Sequence, residues 1–326
     1  MESHILEATT ETIKQRRAQR KAEREDLDVL MRTIKRVRSS AVNTEEYTID
    51  DIEKNRKSQE KFCHLVTPTK GIESETIDIK GMPAEWTRPE QPHVRKQVIL
   101  YCHGGGYTCG TLSYARIIAS KLAIHTGLEV LSFEYRLAPE NPYPAAIEDA
   151  ILVWNYLMHL GYGARDVILA GDSAGGNLAL ELTLHLRAEK RMVPAALILM
   201  SPWTDMSMTG KSYTTYKDKD PVVSIEYIKT VRQAYLGDNL LDFTAPQLSP
   251  VYADLKLLPP MLVQVGSNEI LRSDSERLVK KVQDDGGYGV LQVYKGGWHV
   301  FQQMPVHNAS LAMEAIERFL EGLLRY

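Results

Sequence analysis

The chain has 326 residues, 44% of them hydrophobic and 25% charged, and carries a net charge of −3. These values suit a globular protein with one large α/β core and exclude a generally basic nucleic-acid binder. No apolar run approaches the roughly 18 residues that a membrane span requires.

The start, Met1-Glu-Ser-His-Ile-Leu-Glu7, lacks the basic and apolar stretches of a signal peptide. Residues 1–64 are charged, poor in glycine and helical in pattern. Leu27, Leu30, Met31, Ile34 and Val37 recur at spacings of three and four and form one apolar stripe. The basic run Lys14–Lys21 is followed by Glu23, Glu25, Asp26 and Asp28, which makes it a solvated helix face rather than a nucleic-acid or lipid site. The stripe needs a surface to cover, so 1–64 is expected to be a helical cap over a catalytic domain spanning 65–326.

From Gly71 the pattern changes. Glu75–Lys80 alternates as a half-buried strand should, and Gln97–Cys102 is a continuous apolar run suited to a strand buried on both faces. That run leads into His103-Gly104-Gly105-Gly106-Tyr107, whose glycines expose backbone N–H groups that can face a developing oxyanion. A phosphate loop is the other reading, and it fails because the closing G-K-[ST] is missing. Strands follow at Glu129–Tyr135, Val167–Ala170, Ala195–Met200, Met261–Val265 and Val290–Tyr294, with helical patterns between them. This alternation predicts a mostly parallel sheet with right-handed crossovers, an α/β fold. The region from about 205 to 245 interrupts it. There Ser224 reads as a helix N-cap and Gly237 as a stop, giving a second cap segment. Ser273 and Glu276 have the S-x-x-E spacing of a capping box, which predicts a helix starting at Ser273 with Asp274 in first position.

Between Val167–Ala170 and the following helix lies Gly171-Asp172-Ser173-Ala174-Gly175, a G-x-S-x-G in the strand–turn–helix context of a nucleophile elbow. Glycines two positions either side of the serine spare the turn a Cβ clash. A serine nucleophile needs a base and an orienting carboxylate. His299, in Gly296-Gly-Trp-His299 after the last predicted strand, has the position of the base. His125, His159 and His185 fall in helical patterns, and His103 is expected to brace the glycine loop.

The stretches His103–Tyr107, Tyr135-Arg-Leu-Ala-Pro-Glu140 with Pro142-Tyr-Pro-Ala-Ala146, Gly171–Gly176 and Ser201-Pro202 run in the order seen in one family. On them the chain closely resembles the hormone-sensitive-lipase-like esterases of the α/β-hydrolase superfamily, also called bacterial family IV. The resemblance implies an α/β-hydrolase fold, Ser173 as nucleophile, His299 as base, and the N–H groups of Gly104, Gly105 and Ala174 as an oxyanion hole. It also implies caps from the N-terminal segment and from the insertion after the sixth strand. The chain departs from the family pattern twice. Glu269-Ile-Leu271 stands where the family usually has Asp-Pro-Leu, and Val300 follows the histidine where glycine is frequent. Glu269 lies 30 positions before His299 (299 − 269), the family spacing of the acid. Asp274 is the rival carboxylate, but its place in the predicted capping box gives it a structural role.

The expected function is a serine carboxylesterase for short- to medium-chain acyl esters, with no cofactor and no metal. The alternatives are a deacetylase, amidase or lactonase with the same triad, or a non-catalytic ligand-binding protein of this fold. The expected partner is a small-molecule ester, with no nucleic acid and no membrane span. The last strand, Val290–Tyr294, leaves a sheet edge that pairing of two copies would protect, so a homodimer is also an expectation. The three cysteines Cys63, Cys102 and Cys109 are an odd number, which predicts reduced thiols and a cytoplasmic location.

Overall fold

Eight strands form one sheet in the computed structural model of the chain, which describes residues 48–65, 69–90 and 96–324. Helix α1 (Ile49–Leu65) leads into β1 (Ile72–Ile79) and β2 (Met82–Pro89). Then come β3 (Val98–Cys102), α2 (Leu112–Thr126), β4 (Glu129–Phe133), α3 (Ala145–His159), β5 (Val167–Asp172), α4 (Ala174–Ala188) and β6 (Ala196–Met200). The short α5 (Ser212–Thr215) and α6 (Ile225–Leu236) lie between β6 and β7 (Met261–Gly266). Helix α7 (Arg272–Asp284), β8 (Gly289–Tyr294) and α8 (His307–Leu324) complete the order. In the sheet the strands lie β1-β2-β4-β3-β5-β6-β7-β8. The pairs from β4 through β8 are parallel, and β2 pairs antiparallel with both β1 and β4.

The apolar runs become the central strands because both faces are covered. Along β3, Val98, Leu100 and Cys102 join the cluster packed under α3, α4 and α7. The alternate residues Ile99 and Tyr101 join the opposite cluster under α2 and α8. A period of two places successive side chains on opposite faces. Each fully buried Leu, Ile or Val of this kind contributes about 1.5–3 kcal/mol.

Strand β1 alternates as read over its predicted part, with Ile77 and Ile79 covered and Thr76 and Asp78 exposed, and it starts earlier, at Ile72, with Glu73 and Ser74 exposed on the outermost strand. One element differs from the sequence reading. Strand β2 was not legible, since Pro83 and Pro89 break the pattern. Both prolines lie outside Ala84–Thr87, the stretch paired on both sides, so neither removes an N–H needed by the inner ladder.

The helix predicted within residues 205–245 follows its signals. Ser224 Oγ accepts the Tyr227 N–H at 3.2 Å to start α6, and Gly237 caps its end. The capping box at Ser273 does not form. Helix α7 already begins at Arg272, and Ser273 instead exchanges two hydrogen bonds with Ser212, at 2.8 and 2.9 Å. Glu276 accepts from Arg272 at 2.8 Å.

The stripe Leu27–Val37 and the basic run Lys14–Lys21 lie outside the described residues. Helix α1 is the described part of the N-terminal segment, and Arg56 fastens it. Its guanidinium donates to the carbonyls of Thr108 (2.7 Å) and Ala138 (2.9 Å) and pairs bidentately with Glu140 (both 2.7 Å). Among the described residues no helix is long and apolar enough to cross a membrane.

Candidate active site

The carboxyl ends of β3, β5, β7 and β8 converge, the place where sites form in open α/β sheets. Ser173 is the turn between β5 and α4, at φ +54° and ψ −119°. A side chain is rarely held there, and such strain persists only where the surroundings impose it. Here the Ser173 N–H donates to Met200 O at 2.9 Å, and its carbonyl accepts from Gly176 and Trp203. A Cβ on Gly171 would stand 2.3 Å from the Gly175 carbonyl oxygen, and one on Gly175 would stand 2.0 Å from that of Cys102. Only glycine fits at either place.

His299 lies on the loop after β8, 5% exposed, with Nε2 at 2.9 Å from Ser173 Oγ. Val300 adopts φ +50°, the left-handed region that explains why glycine suits this position. Glu269, fully buried on the loop after β7, has Oε1 at 3.6 Å from His299 Nδ1. That exceeds a hydrogen bond, yet neither atom has another partner among the described residues. Hydrogen bonds of this kind tighten when substrate binds. The other carboxylate oxygen, Oε2, accepts from Gly266 N–H (2.8 Å) and Ser201 Oγ (2.9 Å). The Ser201 hydroxyl in turn accepts from the Val300 N–H at 3.1 Å, joining the acid loop to the histidine loop. Burial alone would lower the basicity of His299. The negative charge of Glu269 close by, with Asp220 and Asp172 beyond it, outweighs that and holds its pKa above the usual imidazole value. Burial likewise raises Glu269, against the opposing pull of His299.

Asp274 is not part of this cluster. Its carboxylate is fully buried and accepts from the N–H groups of Thr204 (3.0 Å) and Asp205 (2.9 Å) and from the Tyr213 hydroxyl (3.1 Å). It braces the segment that follows β6, a deeper structural role than a charge beside a helix end.

The glycine loop requires a correction. The Gly104 N–H donates to Asp172 Oδ1 at 2.8 Å, so it is unavailable to an oxyanion. The N–H groups of Gly105 and Gly106 have no backbone partner among the described residues. That of Ala174 belongs to the first turn of α4, where helical amides lack an internal acceptor. His103 braces the loop as expected. It stacks on Tyr135 with ring centroids 4.2 Å apart, its Nδ1 lies 2.8 Å from Gly104 O, and burial takes its pKa down to about 4.

Sequence reasoning missed three side chains. Asp172 was visible as the second letter of Gly171-Asp-Ser-Ala-Gly175 and Ser201 as a strand end, but neither signal names a partner. Asp220, discussed below, had no signal beyond preceding a proline.

A profile of the α/β-hydrolase fold matches residues 99–303. The crystal structure of an esterase from the bacterial hormone-sensitive lipase family superposes with a TM-score of 0.82 at 34% identity, covering 91% of this chain and 98% of that one. The chain belongs to the α/β-hydrolase family, in its hormone-sensitive-lipase-like branch. Within this family it is 35% identical to an esterase of Acinetobacter venetianus over 81% of this chain and 87% of the relative. It is 34% identical to an acetyl-hydrolase of Streptomyces hygroscopicus over 75% and 79% of the two.

Proposed function

We propose that this carboxylic ester hydrolase works as a serine esterase on short- to medium-chain acyl esters, with Ser173 as nucleophile, His299 as base and Glu269 as the orienting acid. The observation that carries the reading is the 2.9 Å contact between Ser173 Oγ and His299 Nε2 at a strained elbow. Ser173 Oγ bonds to the ester carbonyl carbon while its proton passes to His299. The carbonyl electrons move onto oxygen, toward the N–H groups of Gly105, Gly106 and Ala174. Collapse breaks the ester C–O bond, and the leaving alcohol takes the proton from His299. Water then attacks the acyl-enzyme with His299 again as base, releasing the acid and restoring Ser173. Glu269 keeps the imidazole in the tautomer that accepts at Nε2 and stabilises the cation that forms.

The short-acyl preference is supported by the cap. Tyr227 and Val231 of α6 close onto Gly106, where an added Cβ would meet them at 2.6 and 3.1 Å. The acetyl-hydrolase relative is in keeping with it. We further propose that the N-terminal segment and residues of about 205–245 form the cap of one catalytic domain. Two copies would pair through the β8 edge, and the unpaired cysteines support a cytoplasmic location.

A fluorophosphonate adduct mapped by mass spectrometry tests the nucleophile: it is expected on Ser173, and a label on Ser201 instead would overturn the reading. A series of aryl esters, with amide and lactone controls, tests the substrate class. kcat/KM is expected to peak at acyl chains of about two to six carbons, given how closely Tyr227 and Val231 approach Gly106.

A further inference from the structure

The residue after the acid, Ile270, is gripped on both of its backbone polar groups by side chains of the second cap segment. Its N–H donates to Asp220 Oδ2 at 3.1 Å, and its carbonyl accepts from Ser212 Oγ at 2.5 Å. The other Asp220 oxygen, Oδ1, accepts from the N–H groups of Val222 (2.9 Å) and Val223 (3.0 Å), closing a tight turn across Pro221. Val222 then packs against the cluster of Trp298 and Phe301, which flank His299. One turn of the cap therefore touches the acid loop with a carboxylate and the histidine loop with an apolar side chain. Asp220 is 6% exposed, a high cost for a charge whose only task were a surface turn.

We propose that Asp220 is a positioning residue of this esterase, setting the Glu269–His299 pair from the cap and lending the imidazole a second negative charge. The inference rests on the assignment of Glu269 and His299 above. Ser173 from the elbow and Glu269 from the β7 loop lie against the imidazole, and Asp172 from the elbow and Asp220 from the cap act on it by charge from farther away. The charges of Glu269, Asp220 and Asp172 all favour the imidazolium. The cations of this corner, Lys219 and Arg272, lie over the ring of Tyr216 at 5.3 and 5.6 Å. When the cap sits in place, its carboxylate thus raises the basicity of the group that deprotonates Ser173.

The pH profile of kcat/KM on p-nitrophenyl butyrate separates this role from a structural one. Asp220→Asn keeps an acceptor and removes the charge. The acidic limb should move to lower pH, on the order of half a unit, because the imidazolium loses a stabilising neighbour. Ser212→Ala removes the other grip on Ile270 and keeps the charge, so kcat should fall with the midpoint unmoved. If Asp220→Asn does not fold, Asp220→Ser carries the same expectation. An unmoved limb in the folded Asp220 variant, or an equal shift in Ser212→Ala, overturns the inference. Glu269→Gln, measured alongside, tells the two failures apart. If it retains full turnover, the assignment of the acid is wrong; if it is inactive while the Asp220 limb stays put, only the role of Asp220 falls.

Discussion

The carboxylate of Asp172 accepts the Gly104 N–H at 2.8 Å, so the residue beside Ser173 holds the glycine loop that faces it. The same carboxylate also takes the hydroxyls of Tyr101 (2.5 Å) and Tyr114 (3.2 Å). Asp172→Ala would leave three buried donors unpaired, at about 1–3 kcal/mol for each. Asp172→Asn keeps an acceptor for Gly104. Thermal midpoint and kcat should therefore both rank wild type above Asn and Asn above Ala. An Ala variant that matches wild type in both would remove Asp172 from the machinery of the loop.

Gly105 and Gly106 differ in what a methyl group would meet. At Gly105, with φ +119°, it would stand 2.2 Å from the backbone carbonyl oxygen of Cys109. At Gly106, with φ +64°, its nearest neighbour is the Tyr227 hydroxyl at 2.6 Å. Either alanine costs about 1–2 kcal/mol in backbone strain alone. In a Tyr227→Phe background, Gly106→Ala should recover part of its lost kcat/KM, whereas Gly105→Ala should recover none. Equal recovery at both positions would show that the cap is not what crowds Gly106.

Glu269 and Asp274 are buried in different surroundings, one beside His299 and one under the Thr204 and Asp205 amides. Glu269→Gln should lower kcat by several orders of magnitude, since an amide favours the wrong imidazole tautomer, the effect known for serine-protease triads. The remaining activity should have its acidic limb at lower pH, because Glu269 is the main group raising His299. Asp274→Asn should leave kcat within a few-fold and act on the thermal midpoint. Loss of turnover in Asp274→Asn with retention in Glu269→Gln would reverse the two roles.

Glu181 is a buried carboxyl on α4 whose Oε2 has no partner among the described residues. Burial pushes its pKa well above the ordinary 4.5. Folded, it binds a proton more tightly than unfolded. Its contribution to stability is therefore complete below about pH 4.5 and is lost as pH rises toward the folded-state value. Glu181→Gln cannot titrate, so the melting curves of variant and wild type should converge in acid and separate above pH 4.5, the variant melting higher. Curves parallel from pH 4 to 8 would mean that the carboxyl is not buried in its charged form's disfavour.

The sequence by itself determined the elements whose cause is local. A strand buried on both faces is a run of apolar residues, as in Val98–Cys102 and Ala196–Met200. A nucleophile elbow is five adjacent residues, and Ser224 with Gly237 bounds a helix from within its own turn. Proximity along the chain supplies the physics in each case, so the fold class and the elbow at Ser173 were legible, whereas Glu269 was pointed to by the family resemblance. Which hydrogen-bonding groups remain free for chemistry was decided only by tertiary packing. Gly104 meets a carboxylate 68 residues away, Asp274 meets amides about 70 residues away, and Ile270 meets a cap side chain 50 residues away. Composition and spacing carry no trace of such pairings, because a buried amide selects its acceptor only after the strands have brought the loops together.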